Sequence, residues 1–296
     1  MSVSFAKNKV RKLYKLYAIT MLAMVPLVIA SSLLHGKGIL YSVGATAAKV
    51  MISAPLIQSA FGMVKLSHVF NGVCWFFSTL AIIYLVSPWL MAHLIRIRHL
   101  KAALFGVPVF MCVWYVFLSG VDAKVSFFDD LAYGSPYMRV WFVIYGMMLA
   151  RVIYTWREKR DIPLWVRSSE LPVAALCIAW FVGRNSFSQI FPSLFLTRLV
   201  DIVLCAALLF VLSFEKGTVS RLLEKPKMMA LGHLAMYIYL IHYPLRMYWE
   251  PVVLKRLLAG QTWISQDILG LLSVAIIVTA TMLLSVAWNR KATKSH

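Results

Sequence analysis

A chain of 296 residues that is 61% hydrophobic and 14% charged is too apolar for a soluble domain, which runs at roughly 45–50% apolar and about 25% charged. One or two cores of this size cannot bury such a surplus, and the composition equally excludes a disordered chain and a coiled coil. The formal net charge is +19, from 30 Lys and Arg against 11 Asp and Glu, which in a soluble protein points to nucleic acid. In a polytopic helical membrane protein it is first a matter of topology.

Crossing a hydrocarbon core about 30 Å thick takes about 20 apolar residues. In chain order, the stretches that meet or approach this are 17–34, 69–91, 102–121, 138–155, 171–183, 199–214, 228–245 and 268–288. The fourth carries Arg151 near its end, the sixth Asp201 near its start, and the seventh His233 and His242. Residues 45–63 are moderately apolar but interrupted by Lys49, Pro55 and Gln58, and read as an interfacial or re-entrant piece. The expectation is an all-α membrane bundle of about eight transmembrane helices. Residues 1–16 form a basic cytoplasmic lead-in, 17–289 a single bundle and 290–296 a cytoplasmic tail. The first apolar run reads as a retained span, not a cleaved signal peptide.

With the N-terminus inside and eight alternating spans, 20 of the 30 basic residues fall on the cytoplasmic side. Both termini are therefore expected in the cytoplasm. Topology accounts for most of the charge, and no nucleic-acid partner is needed. The four cysteines (Cys74, Cys112, Cys177 and Cys205) lie within spans at spacings that suit neither a metal site nor a disulfide framework. No metal is expected. The chain has no P-loop, GxGxxG, HExxH or GxSxG motif and no internal repeat, which argues against a nucleotide-driven pump and weakens a secondary-transporter reading.

Four segments place polar groups where they are expensive. LGHLAMYIYLIHYPL (231–245) contains His233 and His242, nine residues apart, about 13–14 Å along a straight helix and too far to share one metal ion. With Tyr239, Tyr243 and Pro244 around it, His242 reads either as part of an aromatic belt at the outer interface or as the lining of a polar cavity. Asn71 and Trp75, four apart, would share a helix face, with Ser78 and Thr79 a turn later. On spacing alone these read as a span capped by Asn71, with small polar residues as glue between helices. KVRKLYKLY (9–17) spaces Lys9, Lys12 and Lys15 by threes. Arg139 stands at the outer end of the fourth span, where snorkelling would explain it. Arg198 and Asp201, three apart, read as a pair.

In this order the four segments resemble the membrane acyltransferase-3 family, whose members move an acyl group onto sugars of surface glycans. The segment 231–245 is similar to the family's late signature through Gly232, Tyr237, Tyr239, Leu240, His242 and Pro244, with Ala235 at the usual serine. Residues 71–88 match through Asn71, Trp75, Ser78, Tyr84 and Pro88, with Leu80 where a glutamate is frequent. Lys9 and Lys12 stand at the two arginines of the family's basic entry motif and Lys15 at its proline. Ser135, Pro136, Arg139 and Gly146 match a further stretch.

The resemblance implies an O-acyltransferase of the bacterial cytoplasmic membrane, with no tightly bound cofactor and acetyl-CoA or another acyl-CoA as donor. The acceptor would be a sugar hydroxyl on a surface polysaccharide, lipopolysaccharide or lipid-linked glycan. Lys9, Lys12 and Lys15 would meet the CoA phosphates, and Asn71, Trp75, Ser78, Arg139 and Tyr239 would line the cavity. In the family, two spans precede the basic motif and carry a histidine regarded as essential. Here that motif begins at residue 9, so His242 is the substitute candidate base. Three arrangements stay open: a truncated product, half of a split enzyme completed by a short two-helix protein, or a non-catalytic relative acting as partner or scaffold. A small-molecule transporter or flippase is the remaining alternative.

Overall fold

The computed structural model describes residues 3–125, 127–158, 163–190, 193–250 and 266–294, and among these every regular element is helical. The helices are α1 Val3–Leu34, α2 Ile39–Ser53, α3 Val64–Ser67, α4 Cys74–Leu94, α5 Leu100–Lys124, α6 Pro136–Arg157, α7 Leu164–Ser168, α8 Glu170–Ile190, α9 Leu194–Leu212, α10 Thr218–Leu223, α11 Pro226–Tyr248 and α12 Gln266–Lys294. A tight 3₁₀ turn, Gln58–Phe61, lies between α2 and α3.

Each apolar stretch read from the sequence coincides with a long helix, but among the described residues six helices, not eight, are long and apolar enough to cross a membrane: α1, α4, α5, α6, α9 and α12. The exceptions are α8 and α11, which have the length and not the composition. Arg184, Asn185, Ser186 and Gln189 crowd the end of α8, and α11 carries Lys227, His233, His242 and Arg246. The expected interfacial piece is a 15-residue apolar helix, α2, that starts before residue 45, followed by irregular chain from Ala54. Side chains that a soluble protein would bury are exposed, with Phe105 at 80%, Val182 at 82% and Leu271 at 71%. Their contiguity along helices marks a lipid-facing surface.

The chain divides into two compact units. One comprises Ser4–Ser59, Val64–Ala81 and Ala230–His296. Within it α1 and α2 form an antiparallel hairpin. Near the turn the Ser42 hydroxyl donates to Ser32 Oγ at 2.9 Å, and at the far end Tyr17 donates to the Ser53 carbonyl at 2.7 Å and Tyr14 to that of Ala54 at 2.9 Å. Helix α11 joins the hairpin through the Tyr248 hydroxyl, which donates to the Ala23 carbonyl. The core between them contains Leu16, Tyr17, Met21, Met24, Phe77, Leu240 and Ile241.

The other unit comprises Met1–Val3, Ala60–Met63 and Ile82–Met229. Here α9 packs against α5 and α8, and α5 against α6, around Met111, Cys112, Leu118, Met138 and Ile202. Polar fastenings replace apolar packing at intervals. Arg151 Nη1 donates to the carbonyls of Leu94 and Ile97, at 3.1 and 3.0 Å, satisfying the end of α4. The Arg198–Asp201 pair is present at 3.2 Å. Arg184 joins the same carboxylate oxygen at 3.2 Å, and Trp180 Nε1 donates to the other at 2.8 Å. Arg198 also donates to the Tyr115 hydroxyl at 2.8 Å and lies over its ring. Glu170 is buried at the start of α8 and accepts from Gly217 N, Ser220 N and Ser220 Oγ at 2.8, 2.9 and 2.7 Å, capping α10.

Candidate functional site

The site is built in the first unit, where α4 begins. Asn71 stands three residues ahead of that helix, so it does not share a helix face with Trp75 as their spacing suggested. Its side chain instead works in two directions. Oδ1 accepts from Val73 N at 3.3 Å, shaping the turn into α4, and Nδ2 donates to the Leu240 carbonyl of α11 at 2.9 Å. Asn71 is fully buried, so both bonds are made away from water, where leaving either group unmade would be costly.

Ser78, one turn into α4, is equally buried. Its hydroxyl donates to the Leu56 carbonyl at 2.9 Å and accepts from Ser59 N at 3.2 Å, with Ser59 Oγ at 2.8 Å. These bonds clamp the irregular chain after α2, where Leu56 has a φ of 62°. Nearby, Tyr17 accepts from Gln58 Nε2 at 3.1 Å, while Gln58 Oε1 has no partner among the described residues. The polar core of Tyr17, Gln58, Ser59 and Ser67 was not singled out from the sequence. Its hydroxyl and amide partners lie tens of residues apart and follow no period.

His242 is half-buried on α11. Its Nδ1 lies 3.1 Å from the Ile238 carbonyl, which can only accept, so Nδ1 carries the proton. In the neutral ring Nε2 is then the lone-pair nitrogen, the arrangement a general base requires. An aromatic row runs from it: Tyr239 at 6.0 Å between centroids, Phe76 at 5.5 Å from Tyr239, Trp75 at 5.9 Å from Phe76, and His68 at 6.2 Å from Trp75. His68, missed in the sequence because it sits in a short connector, has Nδ1 2.7 Å from Ser67 Oγ. Leu240 and Ile241 belong to one core cluster with Leu16, Tyr17, Met21 and Met24, from the first half of the span Leu13–Leu34.

The remaining candidates are placed elsewhere. Lys15 is exposed on α1, whereas the side chains of Lys9 and Lys12 lie outside the described residues. Arg139 belongs to the second unit. Its Nε donates to the Tyr133 carbonyl at 2.7 Å, and its guanidinium lies over the Tyr133 and Phe142 rings at 5.1 and 5.5 Å. Among the described residues no group of three or more His, Cys, Asp or Glu is arranged to hold a metal ion.

The fold and this site define a helical membrane protein with a buried polar cluster in one unit and a half-buried histidine at the end of an aromatic row. The sequence profile of the acyltransferase-3 family, described as an acyltransferase domain, matches residues 2–289. The chain belongs to that family. Neither the curated proteins nor the solved structures contain a match to it.

Proposed function

We propose that the chain is a membrane O-acyltransferase that passes an acyl group, acetyl in the first instance, from acyl-CoA to a sugar hydroxyl of a cell-surface polysaccharide or lipopolysaccharide. Family membership over residues 2–289 carries the reading, and the oriented His242 ring supports it. In this reading His242 Nε2 takes the proton of the sugar hydroxyl as its oxygen attacks the thioester carbonyl carbon. The tetrahedral adduct then collapses, the carbon–sulfur bond breaks, and the imidazolium returns the proton to the departing CoA thiolate. Asn71, Trp75, Ser78 and Tyr239 hold the walls of that centre.

Lys9, Lys12 and Lys15 attract the CoA phosphates as point charges at the cytoplasmic end of α1. Arg139 is a cavity residue of the second unit. The bundle sits in the bacterial cytoplasmic membrane with both termini inside. A short two-helix protein is a partner this reading allows for, and the test below includes it. A non-catalytic scaffold in envelope glycan assembly is the second reading, favoured by Leu80 at the frequent glutamate position and Ala235 at the usual serine.

The test is transfer of labelled acetyl from acetyl-CoA to a glycan acceptor by purified, folded protein, alone and with a two-helix partner. Labelled glycan in either arrangement supports the transferase. Its absence in both, with helical circular dichroism intact, favours the scaffold.

A further inference from the structure

A second feature of the first unit is a cavity lined by none of the residues assigned to acyl transfer. Between the outer half of α1 and helix α2 lies an open cavity of about 480 Å³, within the range of sites that take a small ligand. Its α1 wall is apolar at Met24, Leu27 and Val28 and polar at Ser31 and Ser32 near the turn, and Phe70 and Tyr243 also line it. Its charged lining residues are all basic: His35, Lys37 and Lys49, with no carboxylate among the described lining residues.

The three cations differ in depth. His35 follows directly on the end of the span Leu13–Leu34, the level at which lipid phosphates lie, and its Nδ1 is fixed on the Ser31 carbonyl at 2.7 Å. Lys37 lies over the Tyr41 ring, 5.8 Å from the centroid. Lys49 sits seven residues beyond Ser42 on α2, roughly 10 Å deeper along the helix axis. It is half-buried with no hydrogen bond or ion pair among the described residues. An unpaired ammonium at that depth in an apolar wall is costly, and such groups usually meet a partner.

We propose that this cavity is a binding site for an anionic membrane phospholipid, one whose phosphate is not neutralised by a cation in its own headgroup. The headgroup phosphate is held by His35 and Lys37 at the mouth, Lys49 reaches up to the lipid's ester oxygens from below, and the acyl chain lies against the apolar face of α1. A lipid fits better than acyl-CoA. Lys15 and His35 are 20 residues apart on or just beyond α1, about 30 Å along a helix and one hydrocarbon thickness. The cavity mouth is therefore at the opposite end of α1 from the basic segment assigned to CoA. This inference does not depend on the transferase reading and would hold if the chain transferred nothing.

The test reconstitutes the full-length protein in nanodiscs of mixed phosphatidylglycerol and phosphatidylcholine, re-extracts it, and counts retained lipids by native mass spectrometry. Wild type is expected to retain phosphatidylglycerol over phosphatidylcholine. Lys37→Gln and Lys49→Gln should each lower retention about fivefold, and the double variant by more than tenfold. Lys49→Arg should keep it, and Lys15→Gln should leave it unchanged. Inorganic phosphate or free CoA at millimolar concentration should not displace the lipid. Equal retention of the two lipids, equal retention by wild type and the double variant, or full displacement by phosphate or CoA overturns the proposal. Helical circular dichroism accompanies each variant. If the double variant unfolds, Lys37→Gln alone, on an exposed side chain, decides.

Discussion

Glu170 shows how much one carboxylate can organise. Three hydrogen bonds reach it from Gly217 and Ser220, residues almost fifty positions away. Burial raises its pKa, but hydrogen bonds from Ser220, Gly217 and Val219 lower it by more, so the carboxyl titrates below the ordinary glutamate value. A depressed folded-state pKa stabilises the fold above the unfolded pKa, near 4.3, and that contribution disappears as pH falls through the folded value. Glu170→Ala should therefore cost about 2–3 kcal/mol at neutral pH, for the loss of bonds to a buried charge. In thermal melts from pH 7 to pH 3, wild type should lose more of its midpoint than the variant; parallel curves would contradict this assignment. Gly72 gives a steric counterpart. A Cβ there would stand 2.5 Å from the Tyr243 ring, and Gly72→Ala should destabilise by about 1–3 kcal/mol through the forced ring movement, read as a lowered melting midpoint.

Residue by residue, the sequence was informative where chemistry follows a linear motif. His242, Asn71 and Ser78 were singled out in this way and belong to one unit, Asn71 and Ser78 buried and His242 half-buried. What escaped was pairing across the chain. The bond from Asn71 to Leu240 closes 169 residues and that from Tyr17 to Ser53 closes 36. No periodicity announces which carbonyl a side chain will find. Arg198 and Asp201 were legible because helical spacing alone brings them together.

At the scale of elements, the existence of eight long helices was readable and the character of two of them was not. Helix α8 presents Ile178, Phe181 and Val182 outward, as a lipid-facing helix does, yet ends in a polar run. Helix α11 mixes its charges and histidines with the core residues Leu240 and Ile241. Whether the pair crosses decides the side of the connector after α9. With all eight crossing, that connector is cytoplasmic; with six, it faces outward. Thr218 is exposed at its centre. In a Cys205→Ser background, Thr218→Cys in intact cells should resist a membrane-impermeant maleimide and react after permeabilisation. Labelling in intact cells would rule out the eight-span arrangement.

At the scale of the whole molecule, composition settled the environment, since exposed Phe105 and Leu271 make sense only against lipid. Family membership settled the class of protein. The central claim is that His242 supplies the base for acyl transfer, and its most direct measurement compares transfer rates of His242→Gln and wild type in one preparation at saturating acetyl-CoA. The account predicts a fall in kcat of about 10²–10⁴-fold with helical content retained. A kcat equal to that of wild type would contradict it.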